Sequence, residues 1–256
     1  MVRTLAVDLN CDLGEGFGRY NLGDDAEMMR WITSANVACG FHAGDPDVMA
    51  QTVALAKAQG VALGAHPGFP DLQGFGRRAM TLSPTAITHA ITYQLGALEA
   101  FARVAGTRLV HVKPHGALYN LAARDEVTAN AIARAVAAYD PSLILVGLGG
   151  SKLVGAGIAA GLCVANEGFP DRAYLPDGQL MPRDQEDALI TDPEQVASNA
   201  VRLVTEGFIG GDQSFRIDTL CLHGDHHSAV DNAKLVRRAL EEAGVEIHPL
   251  AWILGV

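Results

Sequence analysis

The sequence is poor in positive charge. Lysine and arginine together number 19 against 29 aspartates and glutamates, a formal net charge of −10 with the nine histidines neutral. Such a chain has no general basic field for nucleic acid or an anionic lipid surface, so neither is expected as a partner. It also lacks any run of about 18 apolar residues, and no membrane span is expected. No basic segment leads into a long apolar stretch before Leu5-Ala-Val-Asp-Leu9, so no signal peptide is expected and the expected compartment is the cytoplasm. The cysteines are few (Cys11, Cys39, Cys163 and Cys221), and none forms a C-x-x-C pair. That favours reduced, mostly buried thiols over a disulfide framework or a cysteine-pair zinc site.

Several catalytic signatures are missing as well. Gly147-Leu-Gly-Gly-Ser-Lys152 lacks the G-K-[ST] ending of a phosphate-binding loop and the third glycine of a dinucleotide fingerprint. No G-x-S-x-G elbow and no H-E-x-x-H helix motif occur. A self-contained nucleotide site of the common kind, a serine hydrolase and a zincin protease are therefore poor descriptions of this chain.

What is present is a regular alternation. With 256 residues, 49% apolar and 19% charged, the chain has enough apolar side chains for one large core. Short, continuously apolar runs predict buried parallel strands at 5–10, 35–41, 61–66, 109–115, 143–148, 162–167 and 219–224. A short run at 245–247 offers an eighth strand or an edge. Between them lie helical segments with clear punctuation. Asp45-Pro46, Ser83-Pro84 and Asp192-Pro193 each place a capping side chain before a proline, and the helices they open end at Gly60, Gly106 and Gly207. Further helices are predicted at 24–34, 125–139, 151–160 and 230–243. Seven or eight strand–helix units in this length favour one α/β domain over residues 1–256, a parallel β/α barrel of the TIM-like type with seven or eight strands.

The strands stay apolar until their C-terminal ends and turn polar there. Strand one ends Asp8-Leu-Asn10-Cys-Asp12, with Glu15 just beyond, and strand two runs into His42 and Asp45. Strand three ends at His66, strand four at Lys113-Pro-His115, strand six at Asn166-Glu167, and strand seven at His223-Gly-Asp225. In β/α barrels this is the face that carries the active site. Each residue alone has a plain structural explanation: a strand-end histidine bonds a backbone group, and Asp45 already caps a helix. Lys113 is harder to explain so, being one of only four lysines and set within an apolar strand. His111, Lys113 and His115 share one face by pleat alternation, which predicts an inward lysine paired with Asp8, Asp12 or Glu167. The loops on the same face bring Arg77, Arg78, Arg172 and Arg183, whose guanidinium forks suit a carboxylate or phosphate.

Candidate catalytic groups are thus Asp8, Asp12, His42, His66, Lys113, His115 and Glu167. Candidate substrate-binding groups are Asn10, Glu15, Arg77, Arg78, Arg172, Arg183, His223 and Asp225. The histidines and carboxylates admit a divalent metal, but no spacing singles out a ligand set.

Four ordered motifs carry a resemblance: 8–18 (DLNCDLGEGFG), 36–46 (NVACGFHAGDP), 64–78 (GAHPGFPD with GFGRR) and 112–120 (VKPHGALYN). Together with 167–172 (EGFPDR), Tyr174, Arg183 and 223–225 (HGD), they resemble the LamB/YcsF, or lactam-utilisation, family over nearly the whole chain. The resemblance implies a barrel of the glycoside hydrolase/deacetylase type. It also implies ATP-dependent opening of the lactam 5-oxo-L-proline to L-glutamate, with ATP and Mg2+ as co-substrate and two partner subunits, B and C. The one departure is His226-His227, where the family pattern leads one to expect a threonine-containing turn. Two other readings stay open: a stand-alone metal-dependent deacetylase or amidohydrolase, and a non-catalytic substrate-binding subunit.

Overall fold

The computed structural model describes residues 5–183, 185–210, 213–223 and 229–256. In chain order the elements are β1 (Ala6–Leu13), α1 (Asp25–Met28), β2 (Ser34–Ala38), α2 (Pro46–Gln59), β3 (Ala62–His66), α3 (Pro84–Ala105), β4 (His111–Val112), α4 (Gly116–Arg124) and α5 (Glu126–Tyr139). They continue with β5 (Ile144–Leu148), α6 (Lys152–Ala159), β6 (Val164–Gly168), α7 (Pro193–Glu206), β7 (Phe208–Gly210), β8 (Gln213–Phe215), β9 (Thr219–Leu222), α8 (Ala229–Glu242), β10 (Glu246–Ile247) and α9 (Leu250–Leu254).

Seven parallel strands form a closed ring in the order β1, β2, β3, β4, β5, β6, β9, and β9 seals it by pairing with both β6 and β1. β1 serves three partners along its length. Ala6 and Val7 pair with β10, Asp8 to Cys11 with β9, and Asn10 to Leu13 with β2. The possible eighth strand is thus a two-residue appendage below the ring. Among the described residues, no helix is long and apolar enough to cross a membrane.

The pleat decides which way each side chain goes. Val7, Leu9, Cys11 and Leu13 point outward into the apolar layer beneath the helices. Asp8, Asn10 and Asp12 point inward. The barrel axis is therefore filled by hydrogen-bonded polar groups from five strand positions around the ring (β1, β2, the end of β4, β6 and β9) in place of the usual branched aliphatic layers. Gly64 is part of that design. It lies opposite His111 in the register, and a Cβ there would overlap the His111 ring atoms.

The N-capping signals hold, and two of the three closing glycines do; Gly207 follows α7 at φ 80° and ψ 173°, outside the left-handed cap. Asp45, Ser83 and Asp192 accept from backbone N–H groups of the first turns of α2, α3 and α7, and Gly60 and Gly106 close α2 and α3 in the left-handed region. The helix expected over 24–34 is confined to the four residues of α1. Thr33 and Ser34 are drawn away to β1, Thr33 N–H donating to the Leu9 carbonyl at 2.8 Å and both hydroxyls donating to Asp8. Strand four, expected over 109–115, is regular for two residues only, because Pro114 has no N–H. Its ladder nevertheless continues, with Lys113 N–H bonded to Ala65 O and His115 N–H to Pro67 O, both at 2.9 Å. Four elements have no counterpart among those predicted from sequence: α4, α9 and the antiparallel strands β7 and β8.

Candidate active site

Two hydrogen-bonded groups meet at the C-terminal mouth of the ring. The first centres on Lys113. Its Nζ lies 2.7 Å from Glu167 Oε1, 3.0 Å from Asp12 Oδ1, 3.1 Å from Asn10 Oδ1 and 3.1 Å from Cys221 Sγ. Burial alone would pull the lysine pKa down. The Asp12 carboxylate, the Cys221 sulfur and the Glu167 carboxylate outweigh it and hold the ammonium well above its ordinary range. The other Glu167 oxygen accepts from the Tyr119 hydroxyl at 2.7 Å. Asn10 Nδ2 donates to Glu167 at 3.0 Å, and Asn36 Nδ2 donates to Asn10 at 2.7 Å and to Asp12 at 2.9 Å.

The second group is histidine-rich. His66 Nε2 is 3.2 Å from Asp12 Oδ2 and 3.0 Å from His115 Nδ1. His115 Nδ1 is 3.3 Å from Glu15 Oε1, and His42 Nε2 is 3.0 Å from the same oxygen. His42 and His115 stack face to face with ring centroids 3.6 Å apart. Gly76, at φ +62°, lets the loop after β3 close over the pair; a Cβ there would come within 2.8 Å of both residues' side chains. Burial, then the neighbouring histidines, push His115 and His42 well below the ordinary histidine range. Burial also works to raise Asp12, but its neighbours His66 and Lys113 outweigh it and hold the carboxyl well below its ordinary range.

A cavity of about 870 Å3 opens above these groups. Of the candidates from the sequence, Asp12, Glu15, His66, Arg77, Lys113, His115, Arg172, Arg183 and His223 line it. Asp8 lies deeper in the barrel, where it accepts from Thr33, Ser34 and Thr219 hydroxyls at 2.7, 2.6 and 2.5 Å. Burial pushes its carboxyl up to about 6 despite those bonds. Asn10, His42 and Glu167 stand behind the lining residues. Arg78 turns away to pair with Asp71. Arg172 is buried and donates to the carbonyls of Ala188 and Met181, tying down its own loop. Asp225 lies outside the described residues.

Tyr119, Asn36 and Asp171 were not among the candidates. Asp171 holds His223 through Nδ1, and His223 Nε2 in turn meets Arg183 Nη2 at 2.7 Å. Tyr119 had a signal in the sequence, since it lies one helical turn past His115 and so returns to the same mouth.

The LamB/YcsF family model matches residues 7–254. The chain belongs to the LamB/YcsF family. Curated relatives of this LamB/YcsF chain include the 5-oxoprolinase A subunit of Methylococcus capsulatus, 54% identical over an alignment covering 100% of this chain and 99% of that one. The protein of the same name from Bacillus subtilis is 51% identical, covering 96% and 97%. The crystal structure of a lactam utilization protein from Thermus thermophilus superposes with a TM-score of 0.88 at 52% identity, over 95% of this chain and 99% of that one. The LamB/YcsF chain also shares its fold, at 11% identity and a TM-score of 0.51, with a peptidoglycan N-acetylglucosamine deacetylase, over 100% of this chain and 91% of that one.

Proposed function

We propose that this chain is the A subunit of an ATP-dependent 5-oxoprolinase. In this reading its pocket takes 5-oxo-L-proline, free or activated, on the way to L-glutamate. What supports it most is that relatives bearing that name align end to end with the chain, so every strand that builds the pocket lies inside the shared region.

The chemistry suits the pocket. A five-membered lactam is a resonance-stabilised amide, and phosphorylation of its oxygen by MgATP would turn the ring carbon into a good electrophile. This chain has no common nucleotide-binding motif, so that step belongs to the assembly with subunits B and C. Water then adds to the ring carbon and passes a proton to a carboxylate or histidine on the pocket floor; return of a proton to the ring nitrogen lets the C–N bond break, leaving the 5-carboxyl as an acyl phosphate that a second water hydrolyses to L-glutamate and inorganic phosphate. Arg77 and Arg183 line the pocket wall, where they suit the substrate carboxylate or a phosphoryl group. Lys113 places positive charge beneath the carbon as negative charge develops on its oxygen. We assign the activity to one barrel domain over residues 1–256 working in the cytoplasm, where ATP is supplied.

The test is glutamate formation from 5-oxoproline. The isolated chain should give negligible turnover, and the chain mixed with its two partner subunits and MgATP should give glutamate with ADP. Robust ATP-independent hydrolysis of the lactam or an acetylated sugar by the isolated chain would replace this reading with that of a stand-alone hydrolase.

A further inference from the structure

The histidine tautomers at the mouth of the barrel set lone pair against lone pair. His66 Nδ1 is 2.7 Å from the Lys113 carbonyl, which can only accept, so Nδ1 carries the proton and, in the neutral imidazole, Nε2 presents a lone pair. His115 Nε2 is 2.8 Å from the Phe75 carbonyl, so by the same logic its Nδ1 presents a lone pair. Those two lone-pair nitrogens face each other at 3.0 Å. Glu15 Oε1 joins at 3.3 Å from His115 Nδ1, and Asp12 Oδ2 flanks His66 Nε2 at 3.2 Å. Four atoms that all donate electron pairs are thus crowded together with no N–H of their own to satisfy one another.

We propose that His66 Nε2, His115 Nδ1 and the Glu15 carboxylate bind one divalent transition-metal ion, with Asp12 beside its open coordination position. The spacing fits. Ligands at about 2.0–2.2 Å from a metal and about 90–110° apart are separated by roughly 3.0–3.5 Å, the range of the 3.0 and 3.3 Å edges observed. The donor set, two imidazoles and one carboxylate, is that of a site with an exchangeable position, and imidazole favours zinc-like ions over magnesium. The surroundings also fit. Glu15, His66, His115 and Asp12 line the cavity, so the open position would face a bound small molecule. Both imidazoles are anchored through their second nitrogen to backbone carbonyls, the outer-shell arrangement that orients ligating histidines. His42 reaches the ligating Glu15 oxygen from behind, at 3.0 Å, without lining the cavity.

The occupant that would compete is a proton shared between the two nitrogens, which would require no metal at all. The experiment separates the two and does not depend on the substrate assignment, since it reads binding rather than turnover. The untagged, metal-stripped chain is titrated with Zn2+ by calorimetry and with Co2+ by visible absorption. We expect one ion per chain, a Co2+ spectrum of a low-coordinate site, and no comparable uptake of Mg2+. His66→Gln and His115→Gln should each weaken binding by roughly 100-fold or more, since losing a ligand costs at least as much as losing an outer-shell partner, which is worth about 10–100-fold. Should either fail to fold by circular dichroism, Glu15→Gln, which keeps size and removes only the charge, should show a loss in the same direction. Absence of stoichiometric binding, or binding unchanged by these substitutions, overturns the proposal and leaves the proton as the bridging species. Metal binding with no 5-oxoprolinase activity in the reconstituted complex would uphold this inference while refuting the functional reading above.

Discussion

Lys113 on the β4 segment and Glu167 on β6 form a buried ion pair at 2.7 Å across the barrel axis, and neither strand is the other's neighbour in the ring. Removing one member of such a pair leaves the other charge stranded, at a cost of about 3–5 kcal/mol. Lys113→Met should therefore lower the unfolding free energy by about that amount, read by urea denaturation. It should also reduce turnover of the reconstituted complex roughly 100-fold or more, the scale for losing one group that stabilises a developing oxyanion. Adding Glu167→Gln should recover part of the stability and none of the rate. A Lys113→Met protein of normal stability and normal turnover would remove Lys113 from the centre of this site.

Tyr119 donates to the remaining Glu167 oxygen from inside the protein. Tyr119→Phe keeps the ring, which packs edge-on against Phe169 at 5.8 Å, and removes only the hydroxyl. Leaving a buried carboxylate oxygen unsatisfied should cost about 1–3 kcal/mol. A melting temperature unchanged from the native chain would mean that water replaces the hydroxyl there.

Asp8 gives the barrel a pH signature. Its folded pKa of about 6 exceeds the ordinary 3.8. The folded state therefore binds the proton more tightly, and the contribution is fully present below about pH 4 and lost as pH rises through 6. The two values differ by an amount equivalent to about 3 kcal/mol. Asn at this position can still accept from Thr33 and Ser34 and donate to Thr219. The stability difference between Asp8→Asn and the native chain should therefore grow in favour of the variant between about pH 4 and 7. Parallel stability curves across that range would show that Asp8 is ionised throughout.

Gly64 and His111 should behave as one unit. A Cβ at 64 would overlap the imidazole outright, so Gly64→Ala should destabilise by at least about 1–3 kcal/mol. In a His111→Ala background the same change should cost much less, a coupling that a double-mutant cycle measures directly. Additive costs would place the clash elsewhere.

The fold was legible because its signals are local. Continuous apolar runs marked the seven strands, and the Asp45-Pro46, Ser83-Pro84 and Asp192-Pro193 pairs marked three helix starts. The inward face of His111, Lys113 and His115 followed from the pleat alone, and the structure places all three on the axis. What sequence could not divide was the polar set itself. Asp8 and Asp12 are four residues apart on one face of one strand. Yet Asp8 is sealed among three hydroxyls while Asp12 lines the cavity, because that depends on how far up the ring each lies. Arg77 and Arg78 are adjacent in sequence, and only the path of their loop sends one toward the pocket and the other to Asp71. The Asp171–His223–Arg183 chain ties His223 to residues 52 and 40 positions earlier and leaves no periodic trace.

The position of β9 has a consequence for how the polypeptide is made. The ring has no seal until residues 219–222 enter between β6 and β1. A nascent chain that has delivered the first six barrel strands is therefore an open parallel sheet with two unpaired edges, and its polar axis is uncapped on one side, since Thr219 has yet to reach Asn10 and Asp8. Open edges of this kind recruit strands from other chains. The risk of misassembly should thus concentrate in the interval between emergence of β6 and emergence of β9, when the ribosome is still adding α7 and the β7–β8 pair.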